Sequence, residues 1–210
     1  MEIPHGILVS IEGGEGAGKS TVLGALRELL AADGREVVTT REPGGTPAGE
    51  ALRKLLLDSG ALLAAETELL MMFAARAQLV REVIGPALQR GAAVLTDRFT
   101  DASFAYQGGG RGIAMGTIAE LERWAVGMKP DLTFLLDVGV EVGLARARGR
   151  GGELDRIENE HDDFFQNVRA VYRARAAAEP GRFRLIDAGQ TADRVVADVS
   201  AAMSAWLAGR

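Results

Sequence analysis

The chain has 210 residues, 47% hydrophobic and 25% charged, the composition of one folded domain rather than a disordered or low-complexity segment. With no cysteine and two histidines it has no disulfide framework, thiolate zinc site, cysteine nucleophile or histidine-rich metal centre. A net charge of −5 argues against duplex-DNA binding, the first five residues lack the basic and apolar regions of a secretory signal, and no apolar run reaches the ~18 residues of a membrane helix. The expectation is a soluble cytoplasmic protein with neither nucleic acid nor membrane as partner.

Residues 6–12 form a short apolar run ending in glycines, which reads as a buried strand. Helical spacing follows over 20–32 and is stopped by Gly34. Residues 37–40 read as a second strand, 41–47 as a Pro/Gly loop, and 48–57 as a short helix. A long helix is expected over 66–89, kinked or broken near Gly85-Pro86. A third strand over 92–97 leads into a short helix at 100–107 and a glycine turn at 108–112. Helix 117–128, strand 132–137, helix 141–148, a long polar helix at 155–178, strand 183–187 and helix 192–207 complete the chain. Strands alternating with helices predict an α/β fold: a doubly wound five-stranded parallel sheet with helices on both faces. Ligands in such sheets lie at the carboxyl ends of the strands, so the loops after Glu12, Thr40, Asp97, Asp137 and Asp187 are expected to line the site.

Gly13-Gly14-Glu15-Gly16-Ala17-Gly18-Lys19-Ser20 fits G-x-x-x-x-G-K-[ST], between an apolar strand and a helix. Glycines let backbone N–H groups wrap an anion, and the helix start adds its positive end. Lys19 then reaches the β- and γ-phosphates of a nucleoside triphosphate, and Ser20 offers its hydroxyl to Mg²⁺. Lysine is scarce here, three against 21 arginines, which makes Lys19 informative. Asp97 and Asp137 both end strands and either could support the magnesium; Arg98 beside Asp97 favours Asp97. No guanine-reading Asn-Lys-x-Asp and no Ser-Gly-Gly-Gln signature is present. Arginine stands in the candidate site loops, at 41, 53, 76, 98 and 111, and clusters at 146, 148, 150 and 156, as a kinase holding two phosphorylated nucleotides requires.

The chain closely resembles bacterial thymidylate kinases (dTMP kinases) from Ile7 to about Gly189. The resemblance rests on the phosphate loop from Glu12 to Thr21, Thr40-Arg41-Glu42-Pro43-Gly44-Gly45-Thr46-Pro47, Phe73-Ala74-Ala75-Arg76, Asp97-Arg98-Phe99, Ala105-Tyr106-Gln107-Gly108-Gly109 and Leu154-Asp155-Arg156-Ile157-Glu158. It implies a homodimeric enzyme making dTDP and ADP from dTMP and MgATP. It further implies a single phosphate-loop kinase domain over 1–210, with an Arg-rich lid at about 146–158. By the same resemblance Gly13, Gly14, Glu15, Gly16, Ala17, Gly18, Lys19, Ser20 and Thr21 bind ATP, Arg146 flanks the adenine, and Ser20 and Asp97 hold the metal. Arg98 lies between the two phosphates and Arg53 grips that of dTMP. Arg76 and Ser103 meet the thymine edge with Gln107 close by, Tyr106 fills the space of a ribose 2′-hydroxyl, and Glu12 sits near the acceptor sugar. The phosphate loop carries no base at Gly14–Ala17, so the chain resembles the members whose extra catalytic arginine is in the lid, here Arg148, Arg150 or Arg156. The Glu42-Pro43 bond is expected to be cis.

One residue departs from the family pattern. Many members of the family stack the thymine on a phenylalanine four residues before the arginine that reads the base. Four before Arg76, on the same helix face, stands Met72 and not Phe73, so Met72 is expected to pack on the thymine. Arg27, Arg35, Arg123, Arg169, Arg173 and Arg175 read as surface charges, His161 as solvated, Glu158 as a helix-start carboxylate, and the glycines at 108–112 as a loop. Another nucleoside monophosphate or deoxynucleoside kinase, or a phosphate-loop ATPase switch, is the alternative.

Overall fold

Five strands lie parallel in the order β2-β3-β1-β4-β5: β1 (Ile7–Glu12), β2 (Val37–Arg41), β3 (Ala93–Asp97), β4 (Leu132–Asp137) and β5 (Phe183–Asp187). These are features of a computed structural model that describes residues 6–58, 60–149, 151 and 155–210. Strand side chains alternate between faces. Val9, Ile11, Ala93, Leu95, Phe134 and Leu136 pack against α1 (Lys19–Ala32) and α9 (Ala192–Ala208), through Val22, Leu26, Leu30, Val195, Val199 and Met203. Leu8 and Val94 face the other side, where α3 (Ala65–Leu79) contributes Leu69, Phe73 and Leu79. Leu135 joins Phe164, Phe165, Val168 and Tyr172 of α8 (Asp162–Ala178). Both faces of the sheet are therefore covered.

The strands keep their expected places within one residue; the helices differ more. The stretch expected as one kinked helix at 66–89 is α3, a π-helical turn at Val80–Ile84 and α4 (Gly85–Gln89). The wide turn just precedes Pro86, which donates no backbone hydrogen bond. α5 (Thr100–Ser103) runs directly into π-helical Phe104–Gly110, so the glycines expected as a turn continue a helix. Their lack of side chains is used for packing: a Cβ on Gly110 would stand 2.3 Å from the Phe164 ring. The helix expected at 117–128 is α6 (Met115–Leu121) plus the π-helical turn Glu122–Val126. The long polar helix begins only at Asp162, where Asp162 and Asp163 supply the first-turn negative charge that a helix start favours. Residues 156–159 form a turn, so Glu158 is not at a helix start; its Oε2 accepts from the Asp155 N–H at 3.3 Å.

Three arginines expected on the open surface are held by carboxylates. Arg175 Nε donates to Asp101 Oδ1 at 2.6 Å, its guanidinium 3.7 Å from the centre of the Phe104 ring, and Arg182 holds the other oxygen of that fully buried carboxylate. Arg169 and Arg173 both donate to Asp137, at 2.7 and 2.6 Å. The last two elements are α2 (Pro47–Leu57), capped by the Thr46 hydroxyl, and α7 (Val140–Arg148), which leads toward the expected lid.

Candidate active site

A cavity of about 290 Å³ opens at the carboxyl ends of β1, β2 and β3. One wall is the phosphate loop from Glu15 to Ser20; the other holds Arg53, Met72, Arg76, Ser103, Tyr106 and Gln107, with Asp97 and Arg98 between them. Of the five loops expected to line the site, those after β1, β2 and β3 do so. The loop after β5 lines a second cavity of about 260 Å³ on the far side of the phosphate loop, with Gly16, Ala17, Gly18, Thr21, Arg146, Ala188 and Gln190.

The phosphate loop is shaped by close backbone approach. Gly16 has φ +67°, and a Cβ there would stand 2.0 Å from the Gly143 carbonyl oxygen of α7. Lys19 Nζ donates to the carbonyls of Gly13 and Gly14 at 3.3 and 3.0 Å, inside the concavity. Burial, then the nearby Arg98 charge, lowers the Lys19 pKa, so an arriving polyphosphate would be favoured there. Gly13 and Gly14 border a small cleft behind the loop and do not line the main cavity.

Arg98 is fixed from every side. Its backbone adopts φ +68°, a strained value for a non-glycine residue. The turn is held by Arg98 N–H to Ile11 O (3.0 Å), by Thr96 Oγ1 to Arg98 O (2.7 Å) and by Phe99 N–H to Glu12 Oε1 (2.7 Å). The guanidinium donates to Gly13 O at 3.0 Å and Glu15 Oε1 at 2.6 Å, and lies 4.6 Å from the Tyr106 ring centroid. Tyr106 OH donates to the same Glu15 oxygen at 3.1 Å. Such strain persists only where the surroundings over-determine it, and functional sites are where it collects. Glu12 is corrected: both its oxygens are taken, by Phe99 N–H and by Tyr172 OH at 2.7 Å, and it is buried without lining the cavity. It supports the Arg98 turn from beneath rather than reaching a substrate.

On the second wall, Arg53 Nη1 donates to Pro43 O at 2.9 Å, and the Glu42-Pro43 bond is cis. Burial, then the neighbouring Arg41, lowers the Arg53 pKa, and a bound dianion would relieve both effects. Arg76 is buried in an ion pair with Glu42 (2.6 Å) and also donates to Ser103 Oγ (3.0 Å) and Phe99 O (3.1 Å). The Ser103 hydroxyl hydrogen is thereby left for another acceptor. Met72 lines the cavity, whereas Phe73 is 2% exposed and packs in the core.

A family model described as thymidylate kinase matches residues 11–199. A thymidylate kinase of Ectopseudomonas mendocina (strain ymp) is 53% identical over 204 residues, 96% of this chain and 97% of its own length. One from Pseudomonas putida (strain GB-1) is 54% identical over 198 residues, 93% of this chain and 94% of its own. The chain belongs to the thymidylate kinase family. The crystal structure of thymidylate kinase from Ehrlichia chaffeensis superposes with a TM-score of 0.78 at 30% identity, covering 96% of this chain and 99% of that one.

Against the thymidylate kinase expectations, the lid arginines divide. Arg146 donates to the carbonyls of Ala188, Gly189 and Gln190 at 2.7, 3.2 and 3.4 Å and lines the second cavity, beside the phosphate loop. Arg148 is exposed at the end of α7 with no partner among the described residues. Arg150 lies outside the described residues, as does Leu154 of the last motif. Arg156 does not line the cavity: its Nε donates to Leu56 O at 2.9 Å and its Nη2 to Glu68 at 2.6 Å, so two of its five N–H donors are held by α2 and α3.

The two strand-end aspartates divide equally clearly. Arg169 and Arg173 neutralise Asp137. Asp97 lines the cavity, and its Oδ1 is buried with no partner among the described residues. With the Ser20 hydroxyl on the same cavity, that donor set suits a magnesium ion, which takes one or two carboxylates and completes its shell with water and substrate phosphate oxygens. Sequence reasoning missed the links of Glu15 to Arg98, Glu42 to Arg76 and Tyr172 to Glu12, and the wall residues Asp155 and Glu158. Glu42 and Glu15 lie inside motifs already singled out; their partners are 34 and 83 residues away.

Proposed function

We propose that this chain is a dTMP kinase, transferring the γ-phosphoryl group of ATP to the 5′-phosphate of dTMP and yielding dTDP and ADP for dTTP synthesis. The observation that carries the reading is one continuous cavity with the phosphate loop on one wall and Arg53, Met72, Arg76, Ser103, Tyr106 and Gln107 on the other. On this reading the loop from Gly13 to Thr21 holds ATP, Lys19 meets its β- and γ-phosphates, and Arg146 borders the adenine. Arg53 holds the acceptor phosphate. Arg98 bridges donor and acceptor, where charge spreads in the transition state. Met72, Arg76, Ser103 and Gln107 receive the thymine, and Tyr106 blocks a 2′-hydroxyl. Ser20 and Asp97 would hold Mg²⁺, which neutralises charge on the phosphates. A homodimer, a cytoplasmic location, and a single kinase domain over 1–210 with its lid at 146–158 belong to the same reading. The test is a coupled assay of ADP release over a panel of nucleoside monophosphates. Release that depends on dTMP is expected. Preference for another acceptor would make it a different monophosphate kinase, and release indifferent to acceptor would make it an ATPase.

A further inference from the structure

Glu68 stands on α3 four residues before Met72 and eight before Arg76, a spacing that puts all three on neighbouring turns of one face. It is fully buried, yet three side chains donate to it. Gln107 Nε2 reaches Oε1 at 2.8 Å, while Arg156 Nη2 and Arg111 Nη2 reach Oε2 at 2.6 and 3.1 Å. Burial works against its charge, but the hydrogen bonds from Gln107 and Arg156 and the Arg111 guanidinium outweigh it and lower its pKa. Glu68 is therefore ionised at neutral pH. An ionised carboxylate can only accept, so the Gln107 amide must turn its NH₂ toward Glu68. The Gln107 Oε1 accepts no hydrogen bond among the described residues, and Gln107 lines the cavity with Met72, Arg76 and Ser103.

We propose that Glu68 is a positioning residue for base selection: by holding the Gln107 amide in one orientation, it makes the cavity present a carbonyl acceptor to the incoming base. That acceptor matches the N3–H donor of thymine and opposes the N3 lone pair of a cytosine-type base. The inference rests on the dTMP kinase reading and adds to it the group that sets the polarity of base recognition. The arginines on Oε2 give the device its direction. In Glu68→Gln they keep the carbonyl oxygen of the new amide on their side, so its NH₂ faces Gln107. Gln107 must then turn its oxygen inward and show NH₂ to the base, two donors facing each other at N3.

The experiment compares dTMP with 5-methyl-dCMP, which has the same outline and an inverted hydrogen-bonding edge, in the unaltered chain, Glu68→Gln, Gln107→Ala and the double variant. The ratio of kcat/KM for dTMP over 5-methyl-dCMP should fall about tenfold or more in Glu68→Gln, because a mismatched buried donor is costly. The loss should appear in the KM for dTMP, with the KM for ATP held within about twofold. The double variant should match Gln107→Ala alone, since Glu68 acts through that amide. An unchanged ratio in a folded Glu68→Gln, or losses that add in the double variant, overturns the inference. Should Glu68→Gln fail to fold, the crystal structure of the unaltered chain with dTMP decides. Gln107 Oε1 is expected about 3 Å from thymine N3 with Nε2 still on Glu68; a base that does not touch Gln107 overturns it. An unaltered chain that leaves dTMP unphosphorylated overturns the function and this inference together, whereas a dTMP kinase with an unmoved ratio overturns this inference alone.

Discussion

Arg98 Nη2 donates to Glu15 Oε1 at 2.6 Å, joining the loop after β3 to the phosphate loop. The guanidinium is thus aimed into the gap between the two walls of the cavity by a carboxylate that itself belongs to the phosphate loop. Its ring contact with Tyr106 and its bond to Gly13 O leave it little freedom. A cation held in place beforehand needs no reorganisation when charge spreads in the transition state.

Removing that cation should therefore be costly in turnover and cheap in folding. Arg98→Ala is expected to lower kcat by about 10²–10³-fold. Arg98→Gly should be as inactive, yet more stable than Arg98→Ala by about 1–2 kcal/mol, because φ +68° strains only residues with a Cβ. Steady-state kinetics and thermal denaturation of the pair separate the two effects. A near-normal kcat in Arg98→Ala would remove Arg98 from the transition state.

The lid arginines should separate in the same way. Arg148 is exposed and has no partner among the described residues, so its charge is available to ATP phosphates. Arg148→Ala should lower kcat by about 10²-fold or more while affecting the KM for ATP much less. Arg156 is committed to Glu68 and Leu56 O, and Arg156→Ala should leave a buried carboxylate short of a partner. Its main effect should be a lower melting temperature, equivalent to about 1–3 kcal/mol. Reversed outcomes would return the catalytic role to Arg156.

Glu12 should make stability depend on pH. Burial, reinforced by the Asp101 charge and only partly offset by the Tyr172 hydrogen bond, pushes its pKa up to about 8, against 4.5 ordinarily. Between those values the folded chain holds a proton that the unfolded chain has lost. The stabilisation is complete below about pH 4.5 and disappears as pH rises through 8, amounting to a few kcal/mol. Denaturant melts between pH 5 and 8.5 should show this decline, flattened in Glu12→Gln. A slope equally steep in the variant would assign it to other groups.

What the sequence could disclose was chemistry whose parts lie close together in the chain. The phosphate loop spans eight residues and sits between a strand and a helix, so local pattern suffices. The neighbour Arg98 already favoured Asp97 over Asp137 for the cavity, but what occupies Asp137 instead, Arg169 and Arg173, lies more than 30 residues further on. Arg175 looked like a surface charge because Asp101 lies 74 residues away. The glycines from Gly108 to Gly110 read as a turn by local preference; they are helical instead, packed tightly against α6 at Gly108 and against α8 at Gly109 and Gly110. Glu68, on the face of α3 that carries Met72 and Arg76, was a visible signal, since a charge on a buried face needs a partner. Its three donors come from later parts of the chain and carry no local mark.

The last prediction concerns the base. Helical spacing puts Met72 and Arg76 on one face, and the structure has both on the cavity wall, while Phe73 is turned about 100° away into the core with Leu69, Leu79 and Phe99. Phe73 still touches the site indirectly, since the Arg76 guanidinium lies 4.7 Å from its ring centroid. Met72→Ala should raise the KM for dTMP by up to about tenfold, the loss of one thioether-to-ring contact worth about 0.3–1.5 kcal/mol. Its melting temperature should stay within about 3 °C of the unaltered chain, because Met72 is only half-buried. Phe73→Ala opens a cavity beneath α3 and should cost about 3–5 kcal/mol, a fall of roughly 6–20 °C for a chain of this size. Any rise in its KM for dTMP should accompany that loss, through a loosened Arg76, and not occur without it. A Phe73→Ala variant with weakened dTMP binding at an unchanged melting temperature would show that the phenylalanine ring, and not Met72, covers the thymine.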